Sequence, residues 1–235
     1  DRRLACLQFG MRLPPRVTMR RVAEPYRGPR KEFHGRSLPV IYFERDYLPG
    51  VAANQIPARR LHDSRYALTL ARMLGKAAAP NLIVGRTVDP ISEFVPGTVL
   101  FDNGDEIIVE GSDGLPQELV LTDHGGAFAD WTTPSLLSFA QSYAKPVNSR
   151  HHDLPDPKLF ADAYLRSFKE ELVRLQSDYR RRKPAFDSLF KHLPYDEAGS
   201  FACRWAKVLR RLEATDVEGL VAAIGRCIVA IAPTP

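Results

Sequence analysis

A chain of 235 residues with 44% hydrophobic and 26% charged residues can bury a sizeable core, as one large domain or two small ones. No apolar run approaches the length of a membrane span, and the apolar segment within Asp1–Gly10 is too short for a secretory signal. The net charge of +5 is concentrated at the front, where residues 1–36 hold ten Arg or Lys against three acids. Such an arm can engage nucleic acid, an acidic membrane surface or an acidic protein. Its few aromatics, Phe9, Tyr26 and Phe33, are thin for base stacking, so a solvated or partner-bound arm is expected. Cys6, Cys203 and Cys227 have neither zinc nor redox spacing, and buried free thiols in a reducing, cytoplasmic setting are the expectation.

In chain order, residues 11–37 combine Arg, Gly and Pro14, Pro15, Pro25 and Pro29, which oppose a helix and predict irregular or short extended structure. Residues 38–44 have the β-branched and aromatic content of a strand, closed by Leu48-Pro49-Gly50. The next segment predicts a helix over 63–79, capped by Asp63 or Ser64, with Tyr66, Leu70, Met73 and Ala77 on one face and Pro80 as its stop. Asn81-Leu82-Ile83-Val84 then reads as a short buried strand. Two apolar runs, 98–102 and 105–110, flank Asn103-Gly104, whose positive-φ tolerance predicts a type I′ hairpin. Ser112-Asp113-Gly114-Leu115-Pro116 makes a further turn. A short helix is expected from Thr133 or Ser135 to about Tyr143, and His151-His152-Asp153 lies in a Pro-flanked loop. Asp156 and Pro157 open a long amphipathic helix carrying Phe160, Tyr164, Phe168, Leu172 and Leu175, which ends before Pro184. Two or three more helices fill 185–231. The pattern is α+β rather than alternating βαβ units.

The stretch Glu118–Phe128 offers the clearest chemistry. An apolar run ends in Asp123, and Gly125 and Gly126 follow. A strand that presents a carboxylate at its tip and then turns is suited to holding a metal, and glycines let a phosphate-bearing ligand approach the backbone. The same residues also suit a buried strand ending in an Asp-containing turn. The order helix, strand, hairpin, strand–Asp–turn, helices resembles the C-terminal lobe of the protein-kinase-like superfamily, in its atypical, phosphatidylinositol-kinase-like branch. Thr122-Asp123-His124-Gly125 resembles the element whose Asp holds magnesium against nucleotide phosphates. The resemblance spans roughly residues 38–175.

It implies an ATP- and Mg2+-dependent phosphotransferase, with a kinase-like lobe over 38–235 and residues 1–37 as a basic arm or remnant of an N-lobe. Leu38–Gly50 would be the hinge strand, with adenine near Tyr42, Glu44 and Arg45. Two registers compete for the catalytic loop. In one, Asn81 is the loop Asn and a magnesium ligand beside Asp123, and Lys76 stands where the family has its catalytic Asp. In the other, Glu93-Phe94-Val95-Pro96-Gly97-Thr98 resembles an Asp-Leu-His-Pro-Gly-Asn loop, with Glu93 as the acid that orients the acceptor hydroxyl. Each residue has a plainer reading: Glu93 a solvent-facing loop acid, Asn81 a turn residue. A second function class remains open, a non-catalytic binding protein whose basic N-terminal arm engages nucleic acid or an acidic partner.

Overall fold

The structure, a computed structural model, describes residues 8–10, 17–25, 34–45, 49–84, 106–121, 140–141, 143–144, 147–148, 151–190 and 195–228. The chain is a mixed α+β protein, mostly helical. It divides into two compact units, residues 14–49, and residues 1–13 with 50–235.

The smaller unit is an antiparallel hairpin of β1 (Val17–Pro25) and β2 (Ser37–Arg45), paired from Val17 opposite Arg45 to Pro25 opposite Ser37. The strand expected at 38–44 is therefore present. Its partner comes from the Arg-rich stretch expected to be irregular or short extended structure, which supplies a nine-residue strand. Pro25 ends β1, where a missing N–H costs little, and the other prolines of that stretch lie outside the strand.

The larger unit centres on two helices, α2 (Ser64–Val84) and α3 (Pro157–Arg181), which make its most extensive contact. Before them stand β3 (Val51–Ala52), a 3-10 turn at Ala53–Gln55 and the short α1 (Ala58–Leu61). Asp63 caps α2, its Oδ1 accepting from the amides of Arg65 at 2.8 Å and Tyr66 at 3.3 Å. Asp156 caps α3 in the same way, accepting from Leu159 N at 2.9 Å, with Pro157 in the first turn. The apolar stripe Phe160, Tyr164, Phe168, Leu172 and Leu175 is fully inside.

On α2 the buried face is turned from the one expected. Tyr66 and Leu70 are buried, but Met73 and Ala77 are only partly so, and Ala67, Ala71, Leu74, Gly75 and Ala78 complete the core. Small residues a turn apart let the helices approach closely. A Cβ on Gly75 would overlap the Tyr164 carbonyl oxygen and lie 3.0 Å from Phe168 N.

Pro80 does not stop α2, and the strand expected at 81–84 is instead the last turn of this helix. Proline in a helix interior costs about 3 kcal/mol, whereas burying Leu82, Ile83 and Val84 stabilises by roughly 1.5–3 kcal/mol each. All three are at most 3% exposed, so burial wins. The freed end is held from elsewhere: Arg211 Nη1 donates to the Ile83 carbonyl at 2.9 Å.

A three-stranded antiparallel sheet, ordered β3–β4–β5, packs on α2 through β5. The central strand is β4 (Glu106–Glu110) and its hairpin partner is β5 (Pro116–Leu121). The turn at 112–114 forms as expected, with Gly114 at φ +73° and Asp113 Oδ1 accepting from Leu115 N at 3.1 Å. Ile107 and Ile108 have β3 on one side and β5 on the other. The hairpin expected between 98–102 and 105–110 falls partly on 98–102 and Asn103-Gly104, which lie outside the described residues.

The C-terminal part is helical, as expected. It comprises α4 (Lys183–Ser188), α5 (Tyr195–Ala214) and α6 (Val217–Cys227). Trp205 Nε1 donates to the Phe186 carbonyl at 2.6 Å, and Gln176 Nε2 donates to the carbonyls of Leu212 and Thr215, tying α5 to α4 and α3. Phe9 is 2% exposed, with its ring 5.4 Å from Trp205 and 5.8 Å from Phe186. The stretch read as one basic arm thus has separate fates, since Phe9 is a core residue of one unit and 17–25 a strand of the other. Among the described residues no helix is long and apolar enough to cross a membrane.

Candidate functional site

Strand β5 runs toward the nominated aspartate. Leu119 and Val120 are buried, and the strand ends at Leu121, two residues short of Asp123. Asp123 and Glu93 lie outside the described residues. Tyr42, Glu44 and Arg45 are on β2, opposite Arg20, Thr18 and Val17, in the smaller unit.

Asn81 is the described nominee. It stands in the last turn of α2 rather than at the head of a strand, it is 2% exposed, and neither Oδ1 nor Nδ2 has a hydrogen-bond partner. Leaving a buried polar group unsatisfied costs about 1–3 kcal/mol. A buried amide in this state has donor and acceptor capacity that the described residues leave unused.

Beside it, Pro80 joins Met73, Lys76 and Ala77 of α2 in one wall of a cleft of about 290 Å³. Gln117, Glu118 and Leu119 of β5 form the opposite wall, and Phe9, Gly10 and Glu171 complete it. Its charge is mixed: the ammonium of Lys76 shares the cleft with the carboxylates of Glu118 and Glu171. Glu171 is held by a two-point contact from Arg174, whose Nε and Nη2 lie 2.9 and 2.5 Å from its oxygens. That contact is also the main reason the Arg174 guanidinium binds its proton more tightly than usual. The sequence offered no sign of this cleft, because its walls are two elements separated by more than thirty residues.

At the other end of β4–β5, Tyr66 donates from its hydroxyl to Glu110 Oε1 at 3.0 Å. Arg60 Nη1 lies 3.0 Å from Glu110 Oε2 and donates to the Gly114 carbonyl at 3.0 Å. Burial, then the Glu110 hydrogen bond and charge, push the Tyr66 phenol well above its ordinary pKa. A phenol so held stays protonated, and the cluster clamps the sheet to the start of α2.

No protein family, curated protein or solved structure matches the chain.

The histidine pair forms a 3-10 turn at His151–Asp153 in which His151 Nδ1 lies 2.8 Å from the Asn148 carbonyl. Among the described residues no group of three His, Cys, Asp or Glu is placed to hold a metal. Cys203 is exposed and Cys227 partly buried, both as free thiols; for Cys203 this corrects the expectation of burial.

Proposed function

We propose that the larger unit binds a magnesium–nucleotide complex and serves as a kinase-like phosphotransferase. Asp123 is the principal metal ligand in this reading, Asn81 contributes its amide oxygen, and Glu93 orients the acceptor hydroxyl. Magnesium takes hard oxygen ligands, commonly one or two carboxylates completed by water and phosphate oxygens, so this donor set fits. The cation would neutralise charge on the phosphates, which is most of what phosphoryl transfer requires.

The observation that carries the reading is the Asn81 amide, buried and without a protein partner on the helix that packs against the strand leading to Asp123. The correction to α2 also favours one register of the loop. With 81–84 helical, Asn81 does not head a loop-to-strand step, so the reading takes its acid, Glu93, from the second register and rests the role of Asn81 on its buried amide alone. The reading makes no use of Tyr42, Glu44 and Arg45, which belong to the other unit.

The test is thermal unfolding with ATP and Mg2+. At a ligand concentration of about 100 Kd the stabilisation is about 2.7 kcal/mol, which raises Tm by roughly 5–10 °C for a unit of this size. The shift should require magnesium, disappear in Asp123→Ala and shrink in Asn81→Leu. In the same variants Asn81→Leu should leave the ligand-free protein as stable as before or more so, since it removes an orphaned amide. Glu93→Gln should keep the shift and lose phosphotransfer. Melting that is unchanged by ATP or GTP, with or without magnesium, would overturn the proposal.

A further inference from the structure

The end of α3 and the start of α4 place four cations in succession, Arg180, Arg181, Arg182 and Lys183, and all four are exposed. Helix α5 comes alongside at Lys183. Lys183 Nζ lies 3.9 Å from Glu213 Oε2, and Arg210, also exposed, is one turn before Glu213 on that helix.

The acids nearby do not neutralise this group. Asp178 is occupied by Arg174 at 2.7 Å and by Arg181 at 2.6 Å, and Arg181 remains 74% exposed. Glu213 faces Lys183, and Asp187 is exposed one turn further along α4. Among the described residues no carboxylate pairs with Arg180, Arg182 or Arg210. A helix C-terminus carries about half a negative charge, which one or two cations satisfy, so the remainder is surplus to the needs of α3.

We propose that this surface, formed by Arg180–Lys183 and Arg210, binds the phosphate backbone of double-stranded nucleic acid without reading its sequence. Arginine forks match phosphate oxygens two at a time, and four of these five cations are arginines. The neighbouring aromatics Tyr179, Phe186 and Trp205 are buried, so among the described residues no stacking platform for single-stranded bases stands beside the cations. The exposed large apolar residues of the described chain, Leu159 and Val173, lie earlier on α3, and the patch has no apolar anchor of the kind that dominates protein–protein contacts. Charge alone is what the surface offers, and a duplex backbone, with one negative charge per roughly 1.7 Å of axis, is the polyanion that charge alone can hold.

The experiment is fluorescence anisotropy of the full chain with a labelled 24-base-pair duplex of arbitrary sequence, titrated from 50 to 200 mM KCl. Each phosphate contact contributes about −0.9 to the slope of log K against log salt, so a slope of roughly −3 to −5 is expected. Arg180→Gln/Arg182→Gln/Arg210→Gln removes cations that make no ion pair among the described residues. It should leave the thermal unfolding midpoint in place, weaken binding at least tenfold and bring the slope about three units closer to zero. A second variant, Arg27→Gln/Arg30→Gln/Lys31→Gln/Arg36→Gln, carries the same kind of change in the smaller unit and should bind as the parent does. The proposal is overturned by absence of binding at 50 mM salt or by a triple variant that binds unchanged. It is equally overturned by loss confined to the second variant, or by binding to a polyglutamate peptide at equal charge while the duplex is ignored.

Discussion

The Tyr66 hydroxyl donates a hydrogen bond to one oxygen of Glu110 while Arg60 holds the other, and this pairing fixes a direction for the response to pH. The folded state raises the phenol pKa above its unfolded value of about 10. Above pH 10 the unfolded chain therefore binds fewer protons than the folded one, and stability falls as pH rises. The contribution is fully present below pH 10. Tyr164, buried and donating to the Tyr143 carbonyl at 2.9 Å, is shifted the same way and adds to the loss. Tyr66→Phe should cost about 1 kcal/mol at neutral pH, since Glu110 keeps Arg60 and reaches solvent. The same variant should lose less stability between pH 9.5 and 11 than the parent. Urea midpoints across that range measure both, and parallel pH profiles would exclude the assignment. At this scale the candidate site was legible only in part. Asn81 was nominated as a loop residue, and the property that singles it out, a buried amide without a partner, depends on packing that no local pattern encodes.

Helix α3 was readable because three local signals agree: an Asp cap, a proline in the first turn and a three-and-four apolar stripe. Helix α2 was readable at its start, where Asp63 caps it, and misread at its end. Proline reports a local cost, but the burial of residues 82–84 that offsets it comes from tertiary neighbours. Strand β1 was left open between irregular and short extended structure for a related reason, because Arg20 and Arg21 carry no strand signal and the pairing with β2 supplies what propensity does not. Gly75 shows the converse, a residue unfavourable in a helix interior that the fold requires. Gly75→Ala should gain about 1 kcal/mol of helix propensity and lose more to the overlap with the Tyr164 carbonyl oxygen, since overpacking at a tight contact costs about 1–3 kcal/mol. A lower denaturation midpoint with a near-normal helical spectrum is expected. A more stable variant would show that α2 and α3 can separate at no cost.

At the scale of the molecule, the two units are built by different means. The hairpin of residues 17–45 is made entirely of near neighbours in sequence. The larger unit joins distant ones: Phe9 sits against Phe186 and Trp205, Arg211 reaches the Ile83 carbonyl, and Asn148 Nδ2 donates to the Cys227 carbonyl. Phe9→Ala should therefore destabilise this unit by about 3 kcal/mol, the cost of emptying an aromatic core position, read as a lower urea midpoint. An unchanged midpoint would place Phe9 outside the cooperative core.

The contact between Phe9 and Trp205 also sets a clock. At about 5–20 residues per second, the ribosome delivers Trp205 roughly 10–40 s after Phe9, whereas hairpin pairing takes about 1–10 μs once both strands are out. Until then the Phe9 ring has no finished niche and must be kept from non-native partners. The last third of the described chain thus decides when Phe9 becomes safe from aggregation, and a ribosome pausing before the Trp205 codon lengthens the time it spends exposed.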